Sequence, residues 1–239
     1  MTDLAKPEPA VRERLCLALD VPDLAAARRL AADLRPFFAV VKVGLELYVA
    51  EGPEAVVSLR EGGFDVFVDL KLHDIPTTVG RAARAIARTG ARYATVHAAG
   101  GAPMLAAAAE GFAEGTSEAD RATPTIGLAV TVLTSEADAA PALVVERSVA
   151  AARAGLGGVI CAVGDIGPVR AAVPGMITVV PGVRPAGASR DDQARAGTPQ
   201  EALRAGADLL VIGRVVTRAE DPVAAAAGLV EALGSVPPR

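Results

Sequence analysis

Lysine is the residue type that first points to chemistry in this sequence. There are only three, Lys6, Lys42 and Lys71, in a chain that otherwise takes its fixed positive charge from arginine. Lys42 interrupts an apolar run, VVKVG, where an unpaired ammonium would be costly to bury. Lys71 lies in VFVDLKLHDIPTT, and in an extended chain it shares a face with Asp69 while Leu70 and Leu72 point the other way. Asp74 follows at the turn, and Asp20 closes a further apolar run, LALD. Carboxylates beside the two lysines would keep them charged. Two ammonium groups alternating with carboxylates form a field fixed before substrate arrives, which is what stabilising a developing negative charge requires. A lysine ammonium is a compact charge, chemically unlike a guanidinium. The plainer reading is that Asp74 caps the helix opening at Pro76 and that Asp69 and Lys71 form a structural ion pair.

A second set of residues lies nearer the C-terminus. VVPGVRP supplies Pro181, Gly182 and Arg184, and LLVIGRVVTR supplies Gly213 and Arg214. Backbone N–H groups, a helix start and bidentate arginines in such loops suit a phosphate; turns and solvated arginines are the alternative. The two histidines, His73 and His97, read as rings bonded to backbone in preference to general bases. Cys16 and Cys161 fall in the apolar stretches LCLAL and GVICAV, as small buried thiols do, and offer no metal cluster. Ser-His-Asp spacing, a nucleophile elbow, a Walker loop and metal-ligand patterns are all missing. So is GxGxxG, which leaves a dinucleotide cofactor without support.

These residues need elements to hold them. Short apolar or β-branched runs alternate with Ala- and Arg-rich segments of helical period, and many are separated by Gly, Pro or Asp. Strands are predicted at residues 15–20, 39–43, 66–70, 94–97, 125–131, 158–162, 177–180 and 208–212. Most are continuously apolar, as in a parallel sheet covered on both faces. Eight βα units predict a single (β/α)8 TIM barrel over residues 13–239, in preference to a doubly wound open sheet. Residues 1–12 read as a flexible tail, and the run after Pro222 as the last helix. In a barrel, reactive groups gather at the C-terminal ends of strands. Asp20, Lys42, Asp69, Lys71 and His97 all lie at or near such ends.

The 239 residues are 51% hydrophobic and 22% charged, enough to bury a substantial core. A formal net charge of −4 lacks the basic balance of a nucleic-acid binder. No apolar run reaches the ~18 residues of a membrane span, and the first residues lack the apolar stretch of a signal peptide. A soluble, cytoplasmic protein is expected, with neither nucleic acid nor membrane as partner.

Taken together, LALDVP, KVGLELY, DLKLHDIPTTV, LTS at 133–135, PGVRP and IGRVVTR resemble the orotidine 5′-monophosphate decarboxylases in their compact bacterial form. The resemblance runs from about Leu15 to the last helix. The Asp-x-Lys-x-x-Asp core is shared with barrel enzymes acting on sugar phosphates, but those carry glutamate and use magnesium where this chain has Lys42. By resemblance, the reaction is loss of CO2 from orotidine 5′-monophosphate to give UMP in pyrimidine biosynthesis, with no metal and no organic cofactor. Lys71 is then the proton donor, flanked by Asp69 and by Asp74 of the second subunit of a homodimer, and Lys42 completes the array. The implied substrate contacts are Asp20, Lys42, Asp69, Ile75, Thr78 from across the dimer, Thr134 on the pyrimidine, and Pro181, Arg184, Gln193, Gly213 and Arg214. Of these, Gln193, Arg184 and the Gly213–Arg214 loop would meet the phosphate. A metal-dependent sugar-phosphate decarboxylase, a Schiff-base aldolase and a barrel that only binds a phosphorylated ligand are the competing readings.

Overall fold

The computed structural model describes residues 9–120, 122–133, 135, 136, 140–184, 195 and 197–234. Eight strands, β1 (Leu15–Ala18), β2 (Val40–Val43), β3 (Asp65–Leu72), β4 (Tyr93–His97), β5 (Ile126–Val130), β6 (Gly158–Ile160), β7 (Ile177–Val180) and β8 (Leu209–Ile212), follow each other in space as in sequence. All pairs are parallel, and β8 returns to β1 through Leu15↔Leu210, closing the barrel. The open-sheet alternative is excluded by that last pairing.

The helices are α1 (Pro9–Arg12), α2 (Leu24–Leu34), α3 (Leu45–Glu51), α4 (Pro53–Glu61), α5 (Pro76–Arg88), α6 (Gly101–Glu118), α7 (Pro141–Arg153), α8 (Ile166–Ala172), α9 (Pro199–Ala205), α10 (Arg214–Thr217) and α11 (Pro222–Gly234). Several begin on recognisable signals. Asp23 accepts from the Ala26 N–H at 2.7 Å, Thr198 and Glu201 form a reciprocal capping box, and α4, α5, α7, α9 and α11 open with proline. α5 and α6 lie almost backbone to backbone, because a Cβ on Gly111 would sit 2.2 Å from the Gly80 carbonyl oxygen. The segment expected to be a tail is helical at its end: α1 forms one turn, and Arg12 O accepts from Ala39 N at 3.2 Å. The rest of that segment, residues 1–8, lies outside the described residues.

The continuously apolar strands serve two cores. Outward residues such as Leu15, Leu17, Val41, Val43, Val66 and Val68 pack against the helices. Inward residues, including Cys16, Val40, Phe67, Leu128, Val179 and Leu209, fill the barrel itself. Side chains alternate along a strand, so the position two residues beyond each inward one also faces in. Lys42 follows Val40, Asp69 follows Phe67 and Thr95 follows Tyr93. Strand parity therefore raises a polar layer directly above an apolar plug at the C-terminal mouth.

Candidate active site

Within that layer the charges interlock. Lys42, buried to 8% exposure, places its Nζ 2.9 Å from Asp20 Oδ1 and 4.0 Å from Asp69 Oδ2. Lys71 Nζ donates to both Asp69 oxygens at 2.9 Å. The order across the mouth is Asp20, Lys42, Asp69, Lys71. Burial is the largest influence on Lys42 and pushes its pKa down, but Asp20 and Asp69 more than offset it, so the pKa lies above the ordinary lysine value. A charged ammonium, with no lone pair to attack a carbonyl, is the consequence. That weighs against Schiff-base chemistry at Lys42.

Gly44 makes room for this pair: a Cβ there would lie 2.8 Å from Asp20 Oδ1 and 2.9 Å from Lys42 Nζ. Beneath them Cys16 is fully buried, and burial raises its thiol pKa. Cys161 is buried too and is pushed up to about 12 by the same cause. Both are free, inert thiols, as expected.

The β3 strand reaches the site by an unexpected route. It extends to Leu72, beyond the 66–70 predicted, and its register with β4 shifts between Val68 and Leu72. Lys71 takes φ = +51°, in the left-handed region. A non-glycine residue there costs roughly 1–2 kcal/mol. Asp69 and Lys71 do meet, but through a bulge and a strained backbone, where simple alternation along a flat strand was expected.

These charged groups line one wall of a cavity of about 440 Å3. Pro181, Gly182, Arg184, Gly213, Arg214, Thr217 and Arg218 line the opposite wall, and Ala18, Phe67, Ile160 and Val211 supply apolar surface between them. The size suits a small molecule with a charged end. Thr217 and Arg218 were not singled out from the sequence, although Arg218 ends the IGRVVTR motif.

Asp74, Ile75 and Thr78 are exposed and do not line the cavity of their own chain. Nor does Asp74 cap α5. Its Oδ1 accepts from the next N–H, that of Ile75, at 2.6 Å, and the cap position belongs to Ile75 without a side-chain bond. Thr134 and Gln193 lie outside the described residues. His97 Nδ1 accepts from the Ala99 N–H at 3.2 Å, the backbone role expected of it, and its ring stacks on His73 at 5.2 Å. Among the described residues, no three His, Cys, Asp or Glu side chains converge on a point where a metal ion could sit.

Comparison with known proteins agrees with this geometry. Residues 13–229 match the family described as Orotidine 5′-phosphate decarboxylase / HUMPS family. The chain belongs to that family. It is 50% identical over 232 residues to the orotidine 5′-phosphate decarboxylase of Anaeromyxobacter sp. (strain K), covering 92% of this chain and 98% of that protein. With the enzyme of the same name from Moorella thermoacetica it shares 49% identity over 227 residues, 90% of each chain. The crystal structure of orotidine 5′-phosphate decarboxylase from Lactobacillus acidophilus matches with a TM-score of 0.76, 32% identity, and coverage of 92% of this chain and 98% of that one. Membership in the orotidine 5′-phosphate decarboxylase family and the closed eight-stranded barrel thus rest on independent observations.

Proposed function

We propose that this protein decarboxylates orotidine 5′-monophosphate to UMP and CO2 in pyrimidine biosynthesis, as a cytoplasmic homodimer that needs no metal or organic cofactor. The observation that carries the reading is the Asp20–Lys42–Asp69–Lys71 array facing two arginines across one cavity. Relatives of the same name at about half identity support the substrate, and none of the competing readings gains support from them.

Breaking the bond to the carboxylate leaves an electron pair on an sp2 ring carbon, and without a cofactor nothing spreads it. In this reading the Lys71 ammonium faces that carbon, stabilises the pair, and then gives it a proton, so a C–H bond replaces the C–C bond and Lys71 is left neutral. Asp69 keeps Lys71 charged and in place beforehand. Lys42 stands between two carboxylates, where a sugar-phosphate relative would carry glutamate and magnesium; its fixed ammonium supports metal independence. Asp20 and Lys42 meet the ribose hydroxyls, and Thr134 meets the pyrimidine. Arg184, Arg214, Gly213, Pro181 and Gln193 hold the phosphate end, whose binding energy orients the ring.

The surface supports the dimer. Leu45, Val49 and Ile75 are the exposed large hydrophobic residues among those described, at 57%, 80% and 66% exposure. They sit on α3 and at the entry to α5, directly after the strands that carry Lys42 and Lys71. A second copy packed on this edge would cover them and would bring its exposed Asp74, Ile75 and Thr78 toward the neighbouring mouth.

The test follows the absorbance of orotidine 5′-monophosphate with chelator-treated protein. Wild type is expected to turn over, and Lys71→Ala to fold but lose at least ~1,000-fold, the product of a lost proton donor and a lost charge. A folded wild type without turnover refutes the substrate; a Lys71→Ala variant that keeps most activity refutes the proton donor.

A further inference from the structure

Between Val68↔Ala94 and Leu72↔Val96 the chain advances four residues on β3 but only two on β4. Asp69, Leu70 and Lys71 therefore stand opposite Thr95 alone. A bulge of this kind takes backbone groups off the ladder and re-aims side chains. Here the loss is made good by one hydroxyl. Lys71 N donates to Thr95 Oγ1 at 2.9 Å, and Thr95 Oγ1 donates to Asp69 Oδ1 at 3.0 Å. Thr95 is 1% exposed and does not line the cavity, so it does not touch substrate.

A hydroxyl can accept one hydrogen bond and donate another at the same time, which few side chains can do from so small a volume. The acceptor side meets the residue whose φ of +51° most needs support. The donor side fixes the rotation of the carboxylate that both lysines approach, at 2.9 Å for Lys71 and 4.0 Å for Lys42. Backbone and counter-ion of one lysine are thereby set by the same atom.

We propose that Thr95 is a positioning residue of the reaction: its hydroxyl joins the Lys71 backbone to the Asp69 carboxylate and so holds the Lys71 ammonium at the point where the proton is delivered. This rests on the decarboxylase reading of the site. Valine has nearly the shape of threonine without the hydroxyl, and serine keeps the hydroxyl without the methyl.

The experiment compares wild type, Thr95→Val and Thr95→Ser by kcat with orotidine 5′-monophosphate, by affinity for UMP, which has no carboxylate to lose, and by a crystal structure of Thr95→Val. In Thr95→Val, kcat should fall on the order of 100-fold, the scale of a misplaced catalytic group. Its UMP affinity should stay near that of wild type, and Thr95→Ser should recover most of the rate. The proposal is overturned by a Thr95→Val enzyme with wild-type kcat, by equal losses in Thr95→Val and Thr95→Ser, or by a kcat loss matched by UMP affinity. If wild type itself shows no turnover, the decarboxylase reading fails, and the structure then judges Thr95 separately. Lys71 Nζ unmoved from Asp69 in Thr95→Val overturns the positioning role; a displaced Lys71 upholds it.

Discussion

The two walls of the cavity are built by opposite means. On the β1–β2–β3 side, Lys42, Asp69 and Lys71 sit on strands and Asp20 just past the end of β1, each is locked by another, and Lys42 is almost sealed from water. On the β7–β8 side, Arg184 and Arg214 stand in or beside loops that follow the strands, with glycines between. Rigid elements hold a reacting group to tenths of an ångström, whereas loops can close on a ligand and release it. In the proposed reaction this divides the labour: the strand wall changes the bond, and the loop wall binds a phosphate remote from it and supplies orientation.

Substitutions on the two walls should then fail differently. Asp69→Asn removes the charge that both lysines face, leaving Lys42 with Asp20 and Lys71 without the carboxylate of its own chain. Its kcat is expected to drop on the order of 1,000-fold while UMP affinity changes far less, the pattern of an interaction made in the transition state. Arg214→Ala should act the other way, lowering kcat/KM by roughly 10- to 100-fold, the value of one or two hydrogen bonds to a charged group. The sharper measurement repeats Arg214→Ala with orotidine, which has no phosphate. There variant and wild type should be equally slow; a further loss with orotidine would give Arg214 a role on the chemical wall and dissolve the distinction.

The same contrast decides what could be read from residue order alone. All eight strands were legible, because a parallel barrel demands unbroken apolar runs and the chain punctuates them. Lys42, Asp69 and Lys71 were legible because a charge in such a run needs a reason. The β3 bulge was not, since nothing in VFVDLKLHD distinguishes a flat strand from one that gains two residues on its neighbour. Thr95 escaped for a related reason: inside YATVH it reads as an ordinary β-former, and its value appears only when Lys71 N and Asp69 are placed opposite it. Asp74 before Ile-Pro resembled a helix cap, yet its carboxylate turns back on the Ile75 N–H. Thr134 and Gln193 fall outside the described residues.

The smallest expected difference between the walls is one of pH. His97 ends β4 and stacks on His73, just outside the residues that line the cavity, while the described loop-wall residues include no histidine. Burial first, then His73 and Arg147, lower the pKa of His97 below its ordinary 6.5. Its Nδ1 must also stay unprotonated to accept from Ala99 N. In the window just below 6.5 the unfolded chain holds more protons at this site than the folded one, so stability rises with pH through that window, is complete above it, and is lost as acid is added. Melting temperatures at pH 7.5 and about 5.5, near either side of the ordinary histidine value, should fall more for wild type than for His97→Gln, which cannot titrate. The difference should be a few degrees at most, because 1 kcal/mol moves Tm only ~2–4 °C in a chain of this size. Equal slopes in the two proteins would place the acid sensitivity elsewhere and leave the two walls alike in their response to pH.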